Sequence, residues 1–391
     1  MNSLKPGRRT ANALIAALLA AGAGCVCAQG NTGPIRIGAY NAMTGPIPLT
    51  GKQMMTGWQA AVAAINDAGG VHGRKLELIV EDDGYEPSRA VAAARKLVDR
   101  DQVLVVTGLG TPTTVVVAKY LEQHKVPLLF PMGASSTELN QAGLTQLFMA
   151  HPAYSTQAEL VVGWMMDHRG SKKPCIIYQV GASGEDSLLG SKKAAQSRGT
   201  QLAAAESFER GASNFSAQVL KMKTAGCDMV FTATTLEGTA LVVTASERVD
   251  FKPQFSGYTT QADATLIKLL GPQSENFYAA DIMVRPDEDV PAMKAYLANL
   301  KKFSAEAEPT FFVTYAYAAM MLIADAIRDA GPNPSREKIV AAMEKGWAQK
   351  VSPLMGPVSI NGANHDGKRS LYVVQVKGGK WVKASDWLSV K

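Results

Sequence analysis

The sequence predicts an α/β protein built from two doubly wound, parallel-sheet lobes. Three observations lead there. Short β-rich runs alternate with amphipathic helical stretches from Ile35 onward, a spacing that gives right-handed parallel βαβ units. The alternation then starts over from Thr156 with a second set of similar make-up. Finally, 391 residues at 47% hydrophobic and 19% charged can bury two cores, and they exclude a disordered or collagen-like chain.

Each element has its own signal. Ile35 to Tyr40 reads as a strand, and a helix from about Gln53 to Asp67 stops at Gly69-Gly70. Leu76 to Val80 is the next strand; Pro87 to Arg100 is helical, with Ala90, Val91, Ala94, Leu97 and Val98 on one apolar face. Strand Val103 to Thr107, helix Thr113 to His124 and strand Val126 to Phe130 complete the first run. The second run reads helix Thr156 to Asp167, strand Cys175 to Tyr178, helix Asp186 to Arg198 and strand Gln201 to Phe208. It continues with helix Phe215 to Ala225, strand Met229 to Thr232, helix Thr239 to Val249 and strand Gln254 to Gly257. Helices follow at Pro291 to Phe303, Phe311 to Ala330 and Arg336 to Trp347. Phe311 to Ala330 is apolar but carries Thr314, Tyr315, Tyr317 and Asp325, so it is expected as a buried core helix, not a membrane span. Leu371 to Val376 and Trp381-Val382 flank a Gly378-Gly379 hairpin turn.

The formal charge of +6 suggests polyanionic partners until its location is examined. Lys5, Arg8 and Arg9 precede an uncharged Ala/Leu-rich run from Ala11 to Ala23, and Val26-Cys27-Ala28 supplies small residues for cleavage. That is a secretory signal pattern, predicted as residues 1–28. The competing reading, lipid attachment at Cys25, is disfavoured because Gly22 stands where a larger aliphatic residue is expected. Removing the segment leaves 363 residues and takes away three basic and no acidic side chains, so the charge falls to +3. No basic tract with interleaved aromatics remains, and nucleic acid is not an expected partner. Of the four cysteines, Cys175 and Cys227 lie outside the signal segment, each near the start of a strand. A disulfide in an oxidising compartment and two buried free thiols are both open, with the thiols favoured because Cys packs as a small hydrophobe.

Two polar, glycine-containing loops carry the chemistry. Gly108-Leu109-Gly110-Thr111-Pro112-Thr113-Thr114 and Met132-Gly133-Ala134-Ser135-Ser136-Thr137-Glu138 each follow a strand and precede a helix. In a parallel sheet both lie at the carboxyl ends of strands, where α/β proteins bind ligands. Free amides at a helix start, with hydroxyls beside them, suit a carboxylate; ordinary N-capping would use the same residues. Gly108-x-Gly110 resembles part of a dinucleotide fingerprint, but Thr113 replaces its third glycine. Gly181-Ala182-Ser183-Gly184 is not the hydrolase G-x-S-x-G pattern. His72, His124, His151, His168 and His365 show no metal-ligand spacing, so neither metal nor cofactor is expected.

Specific segments resemble a known family. Ile35-Arg36-Ile37-Gly38 through Met43-Thr44-Gly45-Pro46, Ala63 to Leu78 with Ile65-Asn66-Asp67-Ala68-Gly69-Gly70, and Glu81-Asp82-Asp83 are similar to the branched-chain amino acid ABC transporter binding proteins. Val126-Pro127-Leu128-Leu129, Asn214-Phe215-Ser216, Gly356-Pro357-Val358 and Tyr372 to Val376 extend the likeness over nearly the whole chain after the signal. The resemblance implies the type I periplasmic binding fold, two lobes joined by a three-crossover hinge with ligand in the interlobe cleft. It places crossovers near Ala150 to Tyr154, Tyr278 to Asp281 and Met355 to Pro357. The lobes would be 34–150 plus 282–355, and 154–278 plus 357–391.

Its ligand contacts carry over to Gly110, Thr111, Thr113, Gly133 and Ser135 in the first lobe. In the second lobe, pocket tyrosines of leucine-type members fall at Ser183 and Thr235, and the acid that pairs with the ligand ammonium falls at Thr259. An unpaired buried ammonium is heavily penalised, so Asp263 or Glu237 would have to substitute if the ligand has one; Tyr154 and Tyr258 could form an aromatic wall. The implied function is the periplasmic, non-enzymatic substrate-binding component of an ABC importer. It would act as a monomer, delivering a small amino acid or related organic acid, aromatic ones included, to an inner-membrane permease. The alternatives are a ligand sensor for a signalling system and an exported α/β enzyme.

Overall fold

A computed structural model describes residues 1–2, 33–133, 143–347 and 350–390. The expected signal segment from residue 3 on, Cys25 and Ser135 lie outside the described residues. Residues from Pro34 onward form one unit containing two main sheets.

The first sheet holds β1 (Ile35–Asn41), β2 (Leu76–Asp82), β3 (Val105–Gly108), β4 (Leu128–Leu129) and β5 (Leu147–Phe148), all parallel in the order β2-β1-β3-β4-β5. The helices between them are α1 (Pro48–Asp67), α2 (Pro87–Arg95) and α3 (Thr111–Gln123). α1 begins five residues before the expected Gln53, because Pro48 at its first turn is already set to a helical φ and has no amide to satisfy. α2 runs on into a π turn, Lys96–Arg100, which keeps Leu97 and Val98 buried. β5 is a two-residue strand and left no legible periodicity.

The second sheet begins after α4 (Tyr154–Arg169). It contains β6 (Pro174–Gln179), β7 (Ala204–Phe208), β8 (Met229–Ala233), β9 (Gln254–Gly257) and β10 (Tyr278–Asp281). Their helices are α5 (Ala182–Gln196), α6 (Ser216–Thr224), α7 (Leu236–Arg248) and α8 (Ala264–Leu270). α9 (Pro291–Phe303), α10 (Phe311–Asp329) and α11 (Arg336–Gly346) come next, then a small ribbon of β11 (Lys350–Ser352) and β12 (Gly356–Val358). The terminal β13 (Ser370–Lys377), β14 (Lys380–Lys383) and β15 (Leu388–Ser389) return to the second sheet, ordered β14-β13-β10-β9-β8-β6-β7 with β15 on β13.

β10 corrects one expectation. Tyr278–Asp281, expected as a crossover, pairs in parallel with β9 and antiparallel with β13. The passage out of the second sheet begins at Ile282, where the Asp281 carboxylate accepts the Ile282 and Met283 amides at 2.7 and 2.9 Å. It is tied to the third passage by Val284 N–H donating to Leu354 O at 2.7 Å. In that third passage the buried Lys368 ammonium donates to Met355 O at 2.5 Å and Pro357 O at 3.3 Å and lies 4.6 Å from the Trp387 ring. Burial pushes its pKa down to about 8.

α10 is long and apolar enough to cross a membrane, yet 83% of its 18-residue apolar stretch is buried within the protein. It packs on α1, and Gly57 lets the two backbones meet: a Cβ there would lie 2.3 Å from Val313 O. Thr310 caps α10, accepting from the Val313 amide.

Cys175 and Cys227 form a disulfide, where free thiols were the favoured reading. β6 and β8 are parallel neighbours with Cys175 opposite Val230, which leaves the two Cα atoms 5.9 Å apart. The bond closes a separation of 52 residues. Replacing both cysteines with serine should lower the unfolding free energy in urea titrations by about 2–4 kcal/mol.

Candidate functional site

Loops at the carboxyl ends of the parallel strands of both sheets line one cavity of about 80 Å³, room for a small organic solute and not merely one water. Ile47 and Thr50 reach it from the β1–α1 loop, Tyr85 from β2–α2, and Leu109, Gly110 and Thr111 from β3–α3. Met132 follows β4, and Tyr154 and Phe312 start α4 and α10. From the other side come Gln179 and Ser183, Thr234 to Leu236, and Tyr258 with Thr260.

The N-terminus of α3 is the polar focus. Gly110 is its N-cap at φ +107°, a backbone position that side chains resist. The Thr114 amide bonds Gly110 O at 2.8 Å, and Pro112 has no amide hydrogen. Among the described residues, no carbonyl one turn back accepts the amides of Thr111 and Thr113, and the N-cap Gly110 has no side chain to do so. Thr111 Oγ1 is buried and 2.9 Å from Tyr154 Oη. The Tyr154 ring lies 4.7 Å from that of Tyr258, whose hydroxyl is bonded to Ser187 Oγ and donates to Ser183 O at 3.3 Å. Burial pushes the Tyr258 hydroxyl well up, so it stays neutral.

The expected residues divide. Gly110, Thr111, Tyr154, Ser183, Thr235 and Tyr258 line the cavity. Thr235 also caps α7, accepting from the Gly238 amide at 3.1 Å. Thr113 does not line it, because its hydroxyl turns back to donate to Leu109 O at 2.8 Å and Gly110 O at 2.9 Å. Gly133 lies behind the helix end, against the Gly110–Thr111 backbone. Thr259 is also off the cavity, and Thr260 takes its place there. Its amide donates to Gln157 Oε1 at 3.0 Å, and its hydroxyl is 2.7 Å from His151 Nε2. Burial lowers the His151 pKa to about 3, so the imidazole is neutral.

Neither candidate substitute acid lines the cavity. Asp263 is consumed by two helix starts, accepting from Thr265 N at 2.7 Å and Phe311 N at 2.9 Å. Glu237 stands one residue past the lining Leu236. Among the described residues, no charged side chain lines the cavity, and no group of three or more His, Cys, Asp or Glu is placed to hold a metal. Ile47, Thr50, Tyr85, Gln179 and Phe312 line it without having been anticipated. Gly84-Tyr85-Glu86 follows a strand predicted to be parallel, so the rule that found the other loops could have found Tyr85.

The profile of the periplasmic binding protein family matches residues 34–380. A Leu/Ile/Val-binding protein homolog 1 of Brucella suis biovar 1 is 26% identical over 356 residues, covering 90% of this chain and 91% of the relative. The crystal structure of a possible leucine/isoleucine/valine-binding protein from Rhodopirellula baltica superposes with TM-score 0.83 at 21% identity, covering 90% of this chain and 97% of the other. An ABC transporter solute-binding protein from R. palustris, in complex with 4-hydroxybenzoate, gives TM-score 0.80 at 23% identity over 91% and 97% of the two chains.

Two outcomes test the site. A Cβ on Gly110 would lie 2.7 Å from the Tyr85 ring and 2.8 Å from Thr113 Oγ1. Gly110→Ala should therefore destabilise the protein by about 1–3 kcal/mol in urea denaturation. His151, depressed by burial to about 3, stabilises above the ordinary histidine pKa of about 6.5 and loses that contribution as pH falls. Unfolding free energy measured from pH 6 to pH 4 should drop more steeply in wild type than in His151→Gln, by about 1.4 kcal/mol per pH unit.

Proposed function

We propose that this chain, which belongs to the periplasmic binding protein family, is the extracytoplasmic substrate-binding component of an ABC importer. It captures a small carboxylic acid that lacks an α-ammonium and hands it to a membrane permease. The observation that carries the ligand class is one helix start, at Gly110 and Thr111, without a side-chain cap and on the lining of a cavity of hydroxyls, aromatic rings and aliphatic groups. Amides at a helix start stabilise an anion, whereas a buried ammonium without a carboxylate is heavily penalised. Tyr85, Tyr154, Tyr258 and Phe312 favour an aromatic or otherwise uncharged body. The 4-hydroxybenzoate-bound R. palustris protein is consistent with that class, and the Brucella relative's name marks the amino-acid alternative.

The lobes proposed are 34–150 with 282–355, and 154–281 with 357–391, the second including β10. Closure of one on the other would dry the cavity and strengthen each hydrogen bond to the solute.

A thermal-shift panel decides the class. Benzoate, 4-hydroxybenzoate and short aliphatic acids are compared with leucine and isoleucine. An acid at a hundredfold excess over its Kd should stabilise the protein by about 2.7 kcal/mol, and the amino acids should not. A strong shift with leucine and none with any acid would overturn the reading. Thr111→Val should weaken binding of the best acid by about 1.5–3 kcal/mol in calorimetry, the size of a lost charge-assisted hydrogen bond.

A further inference from the structure

Tyr85 is held in the cleft by an unusually constrained loop. Its φ is +65°, a left-handed value uncommon for an aromatic residue, and Gly84 before it is at +59°. Two carboxylates enforce that shape. Asp82 Oδ1 accepts the amides of Met43, Thr44 and Gly84 at 2.9, 3.1 and 3.0 Å, and its Oδ2 accepts the Thr44 hydroxyl at 2.6 Å. The fully buried Asp83 accepts the Tyr85 amide at 2.7 Å. Strain of this kind persists where surrounding structure over-determines it, and it points to a use.

The ring lies against Gly110, directly at the start of α3. Toward the opposite half of the chain it meets Arg210, an exposed residue just after β7, whose guanidinium carbon is 5.6 Å from the ring centroid. Tyr85 belongs to a loop of the first sheet and Arg210 to a loop of the second, so the contact spans the cleft. A guanidinium within about 6 Å of an aromatic face is attracted to it.

We propose that Arg210 and Tyr85 form a clasp across the cleft, which holds the carboxylate end of the site covered and biases the lobes toward closure before any solute binds. The clasp rests on the two-lobe reading above, and not on the identity of the solute. The first lobe supplies a ring that its backbone cannot easily withdraw. The second supplies a long cation that reaches the ring only when the lobes are together. A pre-closed fraction raises apparent affinity in proportion to its population, and the guanidinium adds positive potential at the end where a carboxylate would sit.

The test contains no solute, so its failure is distinct from a failure of the acid panel. Nitroxide labels on Lys119→Cys and Lys192→Cys, exposed positions of α3 and α5, report the interlobe distance distribution by double electron–electron resonance. Wild type should show a short-distance population. Arg210→Ala and Tyr85→Leu should each cut the closed-to-open ratio by roughly twofold to thirtyfold, the range of a cation–π contact. The double variant should do no more than either single one, and Tyr85→Phe, which keeps the ring, should keep the distribution. A wild-type distribution without the short population, an unchanged distribution in Arg210→Ala, or effects that add in the double variant would each overturn the clasp.

Discussion

Everything in the cleft is arranged around a helix that starts without a cap. Four of the eleven described helix starts are satisfied by the side chain of their N-cap residue, as α7, α8, α10 and α11 are by Thr235, Asp263, Thr310 and Ser335. α3 is not: Gly110 offers no side chain, Pro112 removes one donor, and Thr113 spends its hydroxyl on carbonyls behind it. The remaining amides, inside a protein, are costly unless a ligand or water takes them. The partial positive charge of such a helix end favours a negatively charged acceptor there.

The neutrality of the remaining wall follows from the same energetics. A carboxylate on the cavity lining would oppose any anion held there, and a cation already paired would offer it little. Thr259 illustrates the consequence. Where an acid would answer an ammonium, a threonine bonds to a neutral histidine, and both are buried away from the cavity. Tyrosine hydroxyls raised by burial serve the same end, because they donate hydrogen bonds without carrying charge. Such a surface can be dried when a cleft closes at a cost of about 1–3 kcal/mol for each unsatisfied group, far below that of an isolated ion.

How much of this the sequence discloses depends on the range of the interaction. Pro291–Phe303 and Gln254–Gly257 were legible to the residue because their boundaries are local chemistry: a proline at the first turn, and a short β-rich run between turn signals. The β3–α3 loop was legible for the same reason, since glycine, proline and threonine state their backbone preferences in place. β5 and β10 were not: β5 is only two residues long, and β10 takes its place in the sheet through its pairing with β13 far along the chain. Thr113 and Thr259 have the chemistry of the site, but a side-chain torsion decides whether a hydroxyl faces a cavity or a carbonyl, and composition does not encode it. The disulfide was undecided until the pairing of β6 with β8 brought its halves together.

Buried charges, absent from the cavity lining, are found at the passages between the sheets. Asp281 is fully buried, 2.7 Å from Arg285, and also holds the two amides that follow it. Arg285 in turn donates to Ala262 O at 3.2 Å, and Lys368 donates to carbonyls of the third passage. A buried ion pair adds little net stability, but removing one partner is costly because it strands the other. That asymmetry fixes geometry: the segment leaving β10 cannot slide by a residue without exposing an unpaired carboxylate. Strict, charge-anchored register thus sits at the passages, and uncharged, cheaply dried surface lines the cavity.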